Sequence, residues 1–382
     1  MELSVLVEKY EKYLPVTHNS PHLTLGEGDT PLIRVPSLEM LLDERVSRKY
    51  HRHITRNLMI LGKLEHEQHS TYSFKDRGMI IAVIKALEEG KKMLLCASTG
   101  NTAASAAAYG AAAGLPVMVI VPKGIATGKL SQIRMYGAEV MEIDGDFNDA
   151  LKLAQKMAEK NPDIQLVNSV NKYRIEGQKT AAFEICDVLG DAPDYLFLPV
   201  GNAGNITAYW KGFNEYFDAK KISKLPKMMG YQAAGADPIV RGHRIRKPKT
   251  DASAIRIGNP ASWEYATQAR DESGGLIYKV TDRQMYRAQY FLSALSGNSI
   301  YVELASSASV AGMLKYDLQK PFDHGSTIVF VVTGAGVKDP ASAEKNPFKK
   351  EIIKLRSSMN PHLIAKGIIK NYDSRRPTQL AR

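Results

Sequence analysis

"YLFLPVGNAGNITAYWKGF", Tyr195 to Phe213, begins as an apolar strand, passes through a turn of small residues and continues as a helix. Gly201, Ala203 and Gly204 let the backbone approach a ligand closely, with Asn202 and Asn205 as polar companions. The helix that follows aims its positive end at the turn, an arrangement suited to an anion. No GK[ST] follows, so the turn is no Walker loop, and G-x-x-G lacks the third glycine of a dinucleotide fingerprint. The cup suits a single phosphate group.

The strand-to-loop pattern recurs twice. MLLCA (Met93–Ala97) runs into Ser98-Thr99-Gly100-Asn101-Thr102 and an alanine-rich helical stretch, a second natural anion site. TIVFVV (Thr327–Val332) runs into TGAGVKDP, with Thr333 at the carboxyl end of the strand, where open α/β sheets place ligands. Further strands are expected at Pro116–Val121, Glu139–Ile143 and Ile164–Asn168, and a helix at Asp149–Lys160. Apolar runs alternating with helical stretches give an α/β fold with largely parallel sheets. Met40–Asn57 is charged and weakly patterned and reads as an inserted excursion, and the basic stretch after Asn360 reads as a loosely docked tail.

The 382 residues are 44% hydrophobic and 24% charged, the balance of a soluble globular protein long enough for two cores. Cys96 and Cys186 form no disulfide framework or zinc spacing, and Cys96 reads as a buried core residue, so a reducing cytoplasm is expected. No apolar run reaches the ~20 residues of a membrane span, and no membrane partner is expected. A net charge of +11 raises the question of nucleic acid. The basic residues are scattered, as in Arg45–Arg56 and Arg241–Lys249, and no DNA-binding motif accompanies them. A solvated basic surface that attracts small anions is the better reading, with no nucleic-acid partner. His66 and His69 have metal-like spacing but no further ligands around them, and no metal is expected.

In "YSFKDRGMI" (Tyr72–Ile80) a lysine precedes Asp-Arg where a helix begins. Alone, Lys75 would be a helix's solvated start. A reactive lysine, a single-phosphate cup, an asparagine-containing turn and a strand-end hydroxyl together are what pyridoxal phosphate requires.

The chain resembles the threonine synthases, among the fold-type II pyridoxal-phosphate enzymes. The resemblance runs from LGEGDTPL (Leu25–Leu32) through SFKDRGM, STGNT, GAEV, VNSVNKYRIEGQKT, GNAGN, GYQAAGADPIV, IRIGNPASW and ELASSASVAG to TGAGVKDP, in the family's order. It implies a tryptophan synthase β-like fold: two open, twisted α/β domains with the cofactor in the interdomain cleft. The expected division is an N-terminal segment 1–56 packing with the large domain, a smaller domain 57–160 carrying the lysine, a large domain 161–350 and a tail 351–382. It further implies that Lys75 forms the Schiff base and moves protons, that Asn101 meets the ring hydroxyl, that Gly201, Asn202, Ala203, Gly204 and Asn205 wrap the cofactor phosphate, and that Thr333 meets the pyridine nitrogen. Ser98, Thr102, Asn168, Ser169 and Arg174 match the family's substrate-phosphate residues.

The implied activity is conversion of O-phospho-L-homoserine and water to L-threonine and phosphate by a homodimeric lyase. The alternatives are β-replacement or elimination on another phosphorylated amino acid such as phosphoserine, or a non-catalytic paralogue that binds polyanions. Two departures bear on substrate choice. The family's Asn-Pro-x-Gly turn before SFKDRG is absent, with Ser70 and Tyr72 where proline and glycine are usual, and Leu304 replaces proline in Glu-Pro-Ala.

Overall fold

The computed structural model describes residues 5–124 and 127–350. Among these residues, ten strands form two sheets. In chain order they are β1 (Leu32–Arg34), β2 (Met59–Leu64), β3 (Met93–Ala97), β4 (Val117–Pro122), β5 (Glu139–Ile143), β6 (Ile164–Leu166), β7 (Tyr195–Pro199), β8 (Lys227–Ala233), β9 (Leu276–Val280) and β10 (Thr327–Val332). The larger sheet has the order β1-β2-β10-β7-β8-β9 and the smaller β5-β4-β3-β6. Every pairing is parallel except that of β1 with β2.

Strands β7 and β10 are continuous apolar runs because helices cover the sheet on both faces. On one face Leu196, Leu198, Val329 and Val331 join the core under the helices Thr180–Leu189 and Gly204–Asp218. On the other, Phe197, Ile328 and Phe330 pack with Val310 and Met313 of the helix Ala308–Gln319. The carboxyl ends of β7 and β10 lead into the GNAGN and TGAG turns, and that of β3 into STGNT. Residues of all three turns line one cleft.

Two expected boundaries cut across the sheets. Residues 59–64 belong to the larger sheet, since β2 pairs along its whole length with β10 (Ile60 opposite Ile328), and not to a 57–160 unit. Residues 164–166 belong to the smaller sheet, since β6 pairs with β3. The lysine helix Lys75–Glu88 therefore begins directly after the chain leaves the larger sheet.

The Met40–Asn57 segment is no excursion. A helix spans Pro36–Tyr50 and buries Leu38, Leu42 and Val46, one stripe at helical spacing. Beyond it the Arg56 guanidinium is buried between Asp43 (2.8 Å) and the fully buried Asp317 (2.5 Å). The weak pattern arises because the rest of the helix surface is charged and solvated. The tail 351–382 lies outside the described residues.

Removing one member of a buried ion pair leaves the other charge uncompensated. Arg56→Ala is expected to destabilise the protein by ~3–5 kcal/mol, read as a lower urea midpoint, with far less loss in Arg34→Ala, where the arginine itself is the exposed member of its pair with Glu39.

Candidate active site

Lys75 is the first residue of its helix, and the loop before it is tied to the end of β10. Phe74 N–H donates to Thr333 O (3.0 Å) and Ala335 N–H to Tyr72 O (3.1 Å). Asp76 fixes the loop from within, accepting from Thr71 N (2.9 Å), Thr71 Oγ1 (2.6 Å) and Ser105 Oγ (2.7 Å). The first two ties place Lys75 beside Thr333, and the Ser105 contact ties it to the helix Asn101–Ala113 that follows STGNT.

All the residues expected to contact cofactor or substrate line a single cleft of about 800 Å³: Lys75, Ser98, Asn101, Thr102, Asn168, Ser169, Arg174, Gly201 to Asn205 and Thr333. The cup is rigid. Ala203 stands at φ +66° as the N-cap of the helix Gly204–Asp218, and Asn202 Oδ1 accepts from Ala261 N (2.7 Å). Asn205 Nδ2 is buried with no partner, a donor awaiting an acceptor in the cleft.

Arg174 is 1% exposed, and its guanidinium makes a single hydrogen bond, Nη1 to Val167 O at 3.2 Å. Nε and Nη2 are buried without partners. An unpaired buried guanidinium is costly unless an anion completes it. Its helix, Lys172–Gln178, crosses the lysine helix at a glycine contact: a Cβ on Gly78 would lie 2.5 Å from Arg174 O, and one on Gly177 would collide with Arg77 O. The crossing brings two cations close together. The Lys75 ammonium is pushed down to about 7, first by desolvation and then by the Arg174 guanidinium, against the pull of Glu303. Desolvation likewise pulls Arg174 down, to about 10. The thiol of Cys96, close to both, is raised to about 12 by burial and stays neutral.

Other members of the set are partly committed to the protein. The Asn168 amide clamps both backbone groups of Ala97 (2.9 and 2.8 Å), shaping the STGNT turn and leaving one N–H for a ligand. Ser98 Oγ accepts from Gly100 N (3.2 Å), keeping its own proton to donate. Thr333 Oγ1 pairs with Ser306 Oγ (2.8 Å).

Two polar cleft residues, Glu303 and Gln178, were given no role in the sequence reading. Glu303 accepts from Asn101 Nδ2 at 3.1 Å and lies 3.5 Å from Thr333 Oγ1, so it links the two groups expected around the cofactor ring. Burial pushes its carboxyl up, opposed by the Asn101 hydrogen bond. The signal was an acid inside the otherwise apolar and small-residue run YVELASSASV. Gln178, also in the cleft wall, has a buried Oε1 with no partner. It follows Arg174 by four residues, and that helical spacing puts both on one face.

Acylation of Lys75 in protein stripped of cofactor is expected to rise with pH about a midpoint near 7, because the reactive neutral amine dominates above its lowered pKa. In Arg174→Gln the midpoint should move upward, since one depressing charge is gone. A wild-type midpoint in the ordinary lysine range, near ~10.4, would contradict this electrostatic picture.

The sequence profile of the pyridoxal-phosphate dependent enzymes matches residues 23–334. The threonine synthase of Halalkalibacterium halodurans is 54% identical over 339 residues, covering 88% of this chain and 90% of that protein. The threonine synthase of Methanocaldococcus jannaschii is 43% identical over 374 residues, covering 95% and 87%. Among solved structures, the cysteine synthase of Entamoeba histolytica superposes with a TM-score of 0.70 at 21% identity, covering 88% of this chain and 96% of that one. That likeness establishes the fold-type II architecture. The chain belongs to the pyridoxal-phosphate dependent enzyme family, on its threonine synthase branch.

Proposed function

We propose that this cleft converts O-phospho-L-homoserine and water to L-threonine and phosphate. The observation that carries the reading is the buried, two-thirds unpartnered guanidinium of Arg174, which opens on the same cleft as Lys75 but belongs to a different element from the GNAGN cup. The cleft thus offers two phosphate sites, one for a cofactor and one for a substrate.

The residues fit pyridoxal phosphate. The left-handed Ala203, the helix N-terminus behind it and the orphan Asn205 N–H suit its phosphate, and Asn101, Glu303 and Thr333 surround the place left for its ring. Thr333 would offer the pyridine nitrogen a hydroxyl, a weaker electrostatic partner than a carboxylate, so Thr333 itself would not force that nitrogen to stay protonated. When bound, the cofactor supplies an electron sink for negative charge developing at the substrate's Cα.

The protein's own groups then divide the work. Lys75, whose ammonium is pushed down to about 7, would hold the cofactor through its amine, and it moves the proton at the substrate's Cα. Arg174 with Ser98, Thr102, Ser169 and the remaining Asn168 N–H grips the phosphate and stabilises the charge it carries away from Cγ. Gln178 lies beside them as an acceptor for a donor on the ligand or for the water that adds at Cβ. The enzyme is proposed to work as a homodimer, and in the cytoplasm, the compartment that two buried, unpaired cysteines favour.

Phosphate release with product identification tests the reading across O-phospho-L-homoserine, O-phospho-L-serine and O-phospho-L-threonine. Threonine and phosphate from the first substrate are expected. Preferential turnover of phosphoserine would instead support the paralogue reading. Lys75→Ala should abolish turnover. Arg174→Leu should cost ~2–5 kcal/mol in kcat/KM, roughly a thirty-fold to several-thousand-fold fall, with cofactor retention little changed. Arg174→Lys should recover part of the loss, because an ammonium keeps the charge but not the two-pronged geometry. Loss of cofactor with intact turnover per bound cofactor would assign Arg174 to the other phosphate.

A further inference from the structure

Among the described residues, the non-glycine residues with positive φ are Asp29, His51, Asn57, Tyr72, Ala203, Lys220 and Ser299. Most have an ordinary explanation. Asp and Asn tolerate this region, and His51 and Lys220 end helices. Only Ala203 and Tyr72 line the cleft. Ala203 shapes the phosphate cup, but Tyr72, at φ +57°, is a bulky aromatic residue in a conformation that favours glycine.

The strain cannot relax, because both flanks are fixed. Tyr72 N–H donates to Gln68 O (3.2 Å) and Tyr72 O accepts from Ala335 N (3.1 Å). Thr71 is held by Asp76, its carbonyl accepts from Lys338 Nζ, and Phe74 is held by Thr333 O. Nor does core packing account for the ring. Tyr72 is 48% exposed, and Val337, also in the cleft wall, is 66% exposed. A half-exposed aromatic ring on a strained backbone, three residues before Lys75, has no structural return in the protein alone.

We propose that the Tyr72 ring is a wall of the cleft mouth that covers the bound phosphorylated amino acid, and that the backbone strain persists because it holds the ring there. With the ring in place, apolar surface of both ligand and ring is removed from water. The mouth also becomes drier, which strengthens the pairing of an anionic ligand with Arg174. Tyr72 is thus a specificity-determining residue that acts on substrate retention, not on proton transfer. The inference rests on the functional reading above.

The test compares the Tyr72→Phe, Tyr72→Ala and Tyr72→Gly holoenzymes with wild type, in KM and kcat for O-phospho-L-homoserine and in thermal midpoint without substrate. Ala and Gly should each raise KM roughly five- to thirty-fold with kcat within about threefold of wild type, and Phe should stay near wild type. Gly should melt above Ala, because both delete the ring but only glycine takes this φ without a Cβ penalty. Unchanged KM in both Ala and Gly overturns the covering role. A Gly variant melting no higher than Ala overturns the strain. A wild-type enzyme that fails to turn over the substrate would sink the preceding functional reading instead, while the melting comparison stands apart from it.

Discussion

The site depends on a buried charge network behind it. Arg77, fully enclosed two residues after Lys75, donates to Glu65 Oε2 (2.6 Å), Glu184 Oε1 (2.6 Å) and Thr30 Oγ1 (3.0 Å). Lys63 completes it, donating to Glu184 Oε2 (2.6 Å) and Thr30 O (2.6 Å). Two cations and two carboxylates balance in a region closed to water. Burial alone would raise the Glu184 carboxyl, but Arg77 and Lys63 hold it down, to about 2. The network joins the N-terminal loop, the end of β2, the lysine helix and the helix Thr180–Leu189. Such a network contributes less to net stability than to uniqueness, since any slip of one element would strand a charge in the interior. The Asp-Arg of SFKDRG is therefore the anchor that aims the lysine: Asp76 fixes the loop and Arg77 fixes the helix.

In front of the anchor the electrostatics reverse. Two helices meet through Gly78 and Gly177, and this close crossing brings the Arg174 guanidinium near enough to lower the Lys75 ammonium, against the pull of Glu303. In the network behind the lysine Arg77, Lys63, Glu65 and Glu184 are paired with one another; ahead of it a guanidinium is buried and largely unpaired. This asymmetry gives the cleft its chemical character. The lysine is made easy to deprotonate, and the arginine is left needing an anion.

Much of this was legible in the sequence because the chemistry sits in contiguous turns. STGNT, GNAGN and the start of TGAG follow apolar strands, and each turn arrived in the cleft. Four strands went unread, β1, β2, β8 and β9, and in β2 and β8 function or packing breaks the pattern. In β2, MILGKL carries Lys63 for the ion network, and its Gly62 leaves room for the Phe330 ring, which would lie 2.8 Å from a Cβ. In β8, KMMGYQA carries the buried Gln232, whose Oε1 accepts from Ile239 N (3.0 Å), and Gly230 packed under Val200. A charge, an amide and two glycines hide strands that are buried beyond their first residue. Glu303 and Gln178 were missed for a different reason. Their roles come from which side chains they meet across the cleft, and no local spacing encodes that.

The central claim is that the anchored helix presents Lys75, and no other lysine, to the cofactor. Borohydride reduction of the yellow holoenzyme followed by peptide mapping measures this directly. The account predicts a single phosphopyridoxyl modification, on the peptide containing Ser73-Phe74-Lys75. A stable label on another lysine, or a colourless protein that added pyridoxal phosphate fails to reconstitute, would contradict it.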